Sequence, residues 1–243
     1  VRLKDFPVIF SFYNARSHPI PNPFDFIDYQ AYTISFHSDY SATIRPIPMA
    51  NCREIEWGRN NETIKQIIDS TQGIPLLCFN FTDDTHIYNQ QGEANSTFLQ
   101  LDFKFCDPEQ QGRNCKLSQE FIRKGLTVSI STLNTFTKST SFSDPILYLV
   151  DTIIQRINGQ FSKFIGLSVS KNIYESDDGW LLESLREIEF YTLETPRQDI
   201  SEGNDRFLSV VLDSPRLRTK TRRSYMKVQE LFAKVGGMAN AFY

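Results

Sequence analysis

The chain reads as a mainly β protein, a β-rich α+β fold arranged as an antiparallel, sandwich-like ectodomain with short helices and a C-terminal amphipathic helix. Three observations predict it. Leu99, Leu101, Phe103 and Phe105 alternate with Gln100, Asp102 and Lys104, which is the two-residue period of a half-buried strand. Leu126, Val128 and Ile130 repeat that pattern further along. The 243 residues carry 20 Phe and 10 Tyr, an aromatic load that disordered chains lack, and a chain of this length buries well over half its surface.

The elements follow in order. Pro7 to Phe12 is a short apolar run, and Tyr29 to Ser35 alternates Tyr, Thr and Ile, so both read as extended. Pro19, Pro21 and Pro23 exclude helix between them, and Pro46 with Pro48 closes the segment before Cys52. Ile64, Ile67 and Ile68 share one helical face, which predicts a helix over Asn61 to Ser70, ended by Gly73 and Pro75. Leu76 to Phe81 reads as a strand, and Ser118 to Lys124 as a short helix before the strand at Leu126.

The second half continues the pattern. Ser143-Asp144-Pro145 suits the cap of a helix running through Ile157, yet Tyr148 to Ile154 is equally β-prone, and both readings stand. Phe164 to Ser170 is a strand, Asp177-Asp178-Gly179 a tight turn, and Leu185 to Leu193 the return strand of a hairpin. Phe207 to Leu212 adds one more strand. Asn134 to Ser143 is Thr- and Ser-rich enough for a linker, but Phe136 and Phe142 argue that it packs. Residues 1–215 are therefore read as one continuous β-rich ectodomain and 216–243 as a distinct tail.

Three acceptors for N-glycosylation, Asn61-Glu62-Thr63, Asn80-Phe81-Thr82 and Asn95-Ser96-Thr97, are interleaved with four cysteines, Cys52, Cys78, Cys106 and Cys115. Sequons are read only in the secretory lumen, and disulfides persist only where the environment oxidises. The pattern predicts an extracellular or cell-surface protein carrying N-linked glycans at Asn61, Asn80 and Asn95. Of the three possible pairings, the preferred one closes Cys106 to Cys115 around the polar loop between them and joins Cys52 to Cys78.

The chemistry of the remaining motifs is sparse. A net charge of −3 gives no broad pull toward nucleic acid. No cysteine pair has zinc-knuckle spacing and His18, His37 and His86 are scattered, so no metal is expected. Serine-hydrolase, zinc-protease, phosphate-loop and EF-hand motifs are missing from the sequence. Glu175, Asp177 and Asp178 form an acidic cluster that calcium would suit, though a solvated hairpin tip is the preferred reading. Trp57 and Trp180 suit sugar stacking, with core packing the commoner role. The expected protein is not an enzyme and uses no cofactor.

The tail differs in composition. Arg216, Arg218, Lys220, Arg222 and Arg223 make a basic run, read as a solvated face, and an amphipathic helix with Val228, Leu231, Phe232 and Val235 on one stripe follows. That helix is expected to end at Gly236-Gly237, where continuation is costly. It serves either as a membrane-proximal or assembly element or as a helix packed on the domain. No apolar run of about 20 residues spans a bilayer within the chain.

The stretch from Arg223 through Met226-Lys227-Val228-Gln229 and Leu231-Phe232-Ala233 to Gly236-Gly237 resembles a signature of predicted two-pass surface membrane proteins abundant in ciliates. Asp178-Gly179-Trp180-Leu181 is similar to a turn in the same proteins. The resemblance implies a span before Val1, this chain as the ectodomain, and a second span after Gly237. It implies no catalytic residues, because no activity is established for those proteins. Basic residues outside a membrane run against the usual cytoplasmic bias. The function expected is binding or structural assembly at a cell surface, as a coat, array or filament subunit. The alternative is the extracellular domain of a two-pass ligand-gated channel or receptor. Partners would be further copies of the chain or other surface proteins, with the membrane reached through flanking segments.

Overall fold

In the computed structural model the described residues are 1–57, 61–81, 86–89, 96–106, 124–138, 145–179, 183–202, 205–215, 219–224 and 226–241. They form two packed β-sheets with two α-helices at the periphery. The strands are β1 (Val8–Asn14), β2 (Ile27–Phe36), β3 (Ala42–Pro46), β4 (Met49–Asn51), β5 (Leu77–Phe79), β6 (Tyr88–Asn89) and β7 (Ser96–Phe105) in the first half. The second half contributes β8 (Leu126–Thr137), β9 (Ile146–Ile157), β10 (Phe161–Asp177), β11 (Leu185–Leu193), β12 (Arg197–Glu202), β13 (Arg206–Asp213) and β14 (Lys220–Ser224). The helices are α1 (Asn61–Ser70) and α2 (Val228–Ala241).

The smaller sheet runs β4-β5-β1-β8-β9 and the larger β11-β10-β13-β7-β2-β3, with β12 and β14 added to β10 and β6 to β7. The fold is thus mainly β, as the alternating runs predict. It is not wholly antiparallel: β10 pairs in parallel with β13 and with β14. Each half of this long strand has one antiparallel and one parallel neighbour, because the chain returns to β10 four times.

Alternation explains how the sheets meet. Val8, Phe10 and Phe12 of β1, Leu126, Val128 and Ile130 of β8, and Leu99, Leu101 and Phe103 of β7 all enter the main core between the sheets. Its centre is aromatic, with Phe10 edge-on to Phe79 at 5.7 Å and to Phe103 at 5.5 Å, the edge-to-face geometry that ring quadrupoles favour. A second core lies on the outer face of the smaller sheet. There Ile64 and Ile68 of α1 cover Ile9, Ile55, Trp57, Leu76 and Leu133, and the Cys52–Cys78 disulfide is buried among them.

Several expectations change. Residues 146–157 are a strand throughout, so the helical reading of this segment is wrong: twelve residues pair in unbroken register with β8. β-branched side chains at Val150, Thr152, Ile153 and Ile154 favour that outcome. Asn134 to Thr137 is the end of β8 and no linker, and Asn134 is buried with its Oδ1 accepting from the Leu193 amide at 3.0 Å. The hairpin is present, but Asp177 ends β10 and the connection runs from 178 to 184, longer than a tight turn. α2 continues through Gly236-Gly237 to Ala241. Residues 118–123, 143–144 and Trp180 lie outside the described residues.

One glycine is dictated by close approach. Gly125 has φ +87°, and a Cβ there would lie 2.9 Å from the Ile157 carbonyl oxygen. The left-handed backbone and the neighbouring chain both exclude a side chain where β8 begins beside the end of β9.

Candidate functional site

Three features face outward in ways that burial does not explain. The first is a groove of about 590 Å³ on the outer face of the smaller sheet, beside the end of α1. Strand alternation builds it. With Val8, Phe10 and Phe12 committed to the core, β1 turns Ile9, Ser11 and Tyr13 outward, and β8 does the same with Thr127, Ser129 and Ser131. Pairing sets these in rungs, Ser11 opposite Ser129 opposite Ile154, and Ile9 opposite Ser131 opposite Thr152. Ile67 and Ser70 of α1 and Thr71 just after it form a wall.

The second feature is β9, the last strand of its sheet. One edge pairs with β8, and the other has no strand beside it among the described residues. Val150 and Ile154 are 44% and 68% exposed on one face, and Leu147 and Leu149 are exposed on the other. The strand contains no lysine, no proline and no register shift, and its charges are limited to Asp151, which accepts from Asn134, and Arg156 near its end.

The third is the C-terminal flank. Glu175 and Asp177 of β10 are buried, so the solvated-tip reading of the acidic cluster fails for these two and holds for Asp178, which is exposed. Glu175 meets Lys220 Nζ at 2.9 Å and Arg222 Nε at 3.6 Å, both from β14, and Arg222 also pairs with Glu183. Lys220 and Arg222 are exposed, as the solvated-face reading expects, but they stand on a strand and are ion-paired, while Arg216 and Arg218 lie outside the described residues. Asp177 receives Lys227 Nζ at 2.6 Å and accepts from the Ser184 and Gly179 amides. The same ammonium donates to the Gly179 carbonyl at 2.5 Å. Hydrogen bonding from Lys220 holds Glu175 below the usual carboxylate range, and hydrogen bonding from Lys227 does the same for Asp177. The Lys220 ammonium is correspondingly pushed up by its bond to Glu175.

Lys227 immediately precedes α2, so this clamp fixes the helix at its base. Beyond the clamp the apolar stripe is open: Leu231, Phe232 and Val235 are 51%, 70% and 53% exposed, and Val228 is half-buried. The helix has 14 residues, and no described helix is long and apolar enough to cross a membrane. The four stripe residues predicted from periodicity are thus brought together on one helix, largely uncovered.

The other predicted residues divide. Cys52 and Cys78 are joined, with Cα atoms 5.0 Å apart, as the preferred pairing requires. Cys106 is disulfide-bonded as well, and Cys115 lies outside the described residues. Asn61 opens α1, Asn80 follows β5 half-buried, and Asn95 lies outside the described residues. Trp57 packs in the second core.

Sequence reasoning missed Asp102. It sits on the polar face of β7 but is buried, accepting from Arg206 Nη1 and Ser209 Oγ at 2.6 Å each and from Tyr32 Oη at 2.9 Å. Desolvation, reinforced by the hydrogen bond to Asp102, raises the Tyr32 hydroxyl above its ordinary value. Its donors come from β2 and β13, some 70 and more than 100 residues away in sequence, and no local pattern signals them.

Together these features define a disulfide-bonded two-sheet β domain with outward-facing apolar elements at its margins. The Cys52–Cys78 bridge is consistent with an extracellular or secreted protein. Residues 9–213 match the family described as the N-terminal domain of an uncharacterised 80 kDa protein, and the chain belongs to that family. No curated protein and no solved structure matches the chain.

Proposed function

We propose that this chain is a non-enzymatic, N-glycosylated cell-surface domain that works by binding and structural assembly. The observation that supports this reading most directly is the apolar surface left uncovered on two well-formed elements. β9 offers an unpaired edge with Val150 and Ile154 beside it, and α2 offers Leu231, Phe232 and Val235. Ordered apolar patches of this kind mark contact surfaces, and an open edge adds backbone donors and acceptors for a neighbouring chain. By its description the family's domain is the N-terminal domain of an 80 kDa protein. In the two-pass arrangement that the tail resembles, α2 stands at the membrane-facing end.

Two measurements test the reading. Light scattering across a concentration series of the natively secreted protein should show self-association that Ile154→Lys weakens. A particle that stays monomeric throughout, with no partner on native cell surfaces by crosslinking, overturns assembly. Peptide-N-glycosidase should lower the mass of the native protein, and an unchanged mass overturns the surface-glycoprotein part.

A further inference from the structure

We infer that the groove over the smaller sheet is a binding site for a small, neutral, hydrocarbon-rich molecule bearing one or two hydroxyl or carbonyl oxygens. The first support is charge. The outer face of a sandwich sheet that merely meets water carries ionised side chains, as β2, β7 and β13 do here with Asp28, Lys104 and Arg206. Among the described residues no charged side chain lines the groove, although three strands, α1 and the turn after it all contribute. Arg53, close behind that turn, donates to the Thr71 and Ile74 carbonyls, and Arg156 stands at one end of the groove, sharing a rung with the lining residues Tyr13 and Thr127. A carboxylate or phosphate therefore finds no cation among the described residues that line the groove.

The second support is the kind of polarity present. Ser11, Thr127, Ser129, Ser131 and Thr152 supply hydroxyls between the apolar surfaces of Ile9, Ile67, Leu76, Val150 and Ile154. Ser131 and Thr152 hydroxyls already share a bond of 3.0 Å, and Ser11 donates to the Tyr13 hydroxyl at 3.3 Å. Isolated hydroxyls of this sort orient a ligand oxygen but do not make a sugar site. Carbohydrate recognition uses carboxylates, amides and several aromatic faces, and Tyr13 is the lone aromatic ring among the described lining residues. The third support is size: about 590 Å³ lies within the range of sites for compact organic ligands, and aliphatic lining with sparse polar groups is their usual composition.

The test uses dehydroergosterol, a fluorescent neutral sterol, titrated into the full chain, with hexadecanol, palmitate and maltoheptaose as competitors. Saturable binding is expected, displaced by hexadecanol and not by maltoheptaose, with palmitate at least about tenfold weaker than hexadecanol. Ser129→Phe fills the floor of the groove and should weaken binding at least about tenfold; Thr152→Trp fills its exposed rim and should do the same if the first variant fails to fold. Phe232→Ser, on α2 and outside the groove, should leave it unchanged. No saturable sterol or alcohol binding, equal binding by a folded groove-filled variant, or preference for palmitate or maltoheptaose each overturns the inference. Val150 and Ile154 belong to both the groove and the β9 edge, with Thr152 between them, so assembly is scored separately on α2 with Leu231→Ser and Phe232→Ser, which leave the groove untouched.

Discussion

The space between the sheets and the C-terminal flank of β10 are held by different physics. Between the sheets, Phe10, Phe12 and Phe207 each pack against Phe103 within a core of apolar side chains. On the flank, β14 and α2 are fastened by Glu175, Asp177, Lys220, Arg222 and Lys227. Burial of apolar area is non-directional and insensitive to pH, whereas an ion pair depends on the protonation of both partners and on exclusion of water. The contrast teaches that this molecule has a permanent interior and a conditional margin, and the margin is where its uncovered helix is attached.

The largest effect should follow from breaking the interior. Phe103→Ala removes a fully buried ring that touches Phe10, Phe12 and Phe207, and should cost about 3–5 kcal/mol. Urea denaturation checks it: a midpoint shift that small surface substitutions also produce would mean the aromatic cluster is not the centre of stability. Opening the Cys52–Cys78 bridge with a paired Cys→Ala replacement should come next, at about 2–4 kcal/mol for a separation of 26 residues. Because that bridge lies in the second core, protease nicking after its removal should concentrate at α1 and leave β7 protected.

These two regions also differ in how legible they are. The interior is written locally: Leu99 to Phe105 shows its period within seven residues, and α1 shows its face at Ile64, Ile67 and Ile68. β9 is ambiguous because its β-branched run also fits a capped helix, and only pairing with β8 settles it. The flank is written across long separations. Asp177 and Lys227 are 50 positions apart, and Glu175 reads as a tip residue until β14 returns beside β10. For the same reason β14 is hidden in the sequence: Lys220-Thr221-Arg222-Arg223 has no apolar alternation, and its place is set by the carboxylates it meets. The groove escapes sequence reading as well, since Ser and Thr on a strand announce exposure and say nothing of concavity.

The conditional margin gives a third prediction. Asp177→Asn keeps the shape but removes the charge facing Lys227, so α2 should lose hydrogen-exchange protection at residues 228–235 while the urea midpoint barely moves. Acid should do the same to the wild type. Both carboxylates have lowered values in the folded chain, so their contribution is complete above the ordinary carboxylate range and disappears as pH falls through the lowered values. Lys220 is raised, so its contribution is complete below the ordinary lysine value near 10 and fades only as pH rises past it. The flank should therefore be insensitive across neutral pH and release at the acid end before the interior unfolds. Simultaneous loss of α2 protection and β7 protection on acidification would show that the two regions are one cooperative unit.

The smallest effect on the isolated fold is expected at the stripe of α2. Phe232→Ser exposes no core, because the ring is already mostly in water, and stability should change by no more than about 0.5 kcal/mol. Its consequence should appear only in association. If α2 is a contact element, Phe232→Ser and Leu231→Ser should weaken self-association or partner capture while the melting temperature stays put. Ile154→Lys on β9 should act independently and additively, the two sites lying on separate elements. A melting temperature that falls by several degrees in Phe232→Ser would place the ring in a packed environment. α2 would then be a structural helix of the flank, and the proposed contact surface would shrink to the β9 edge.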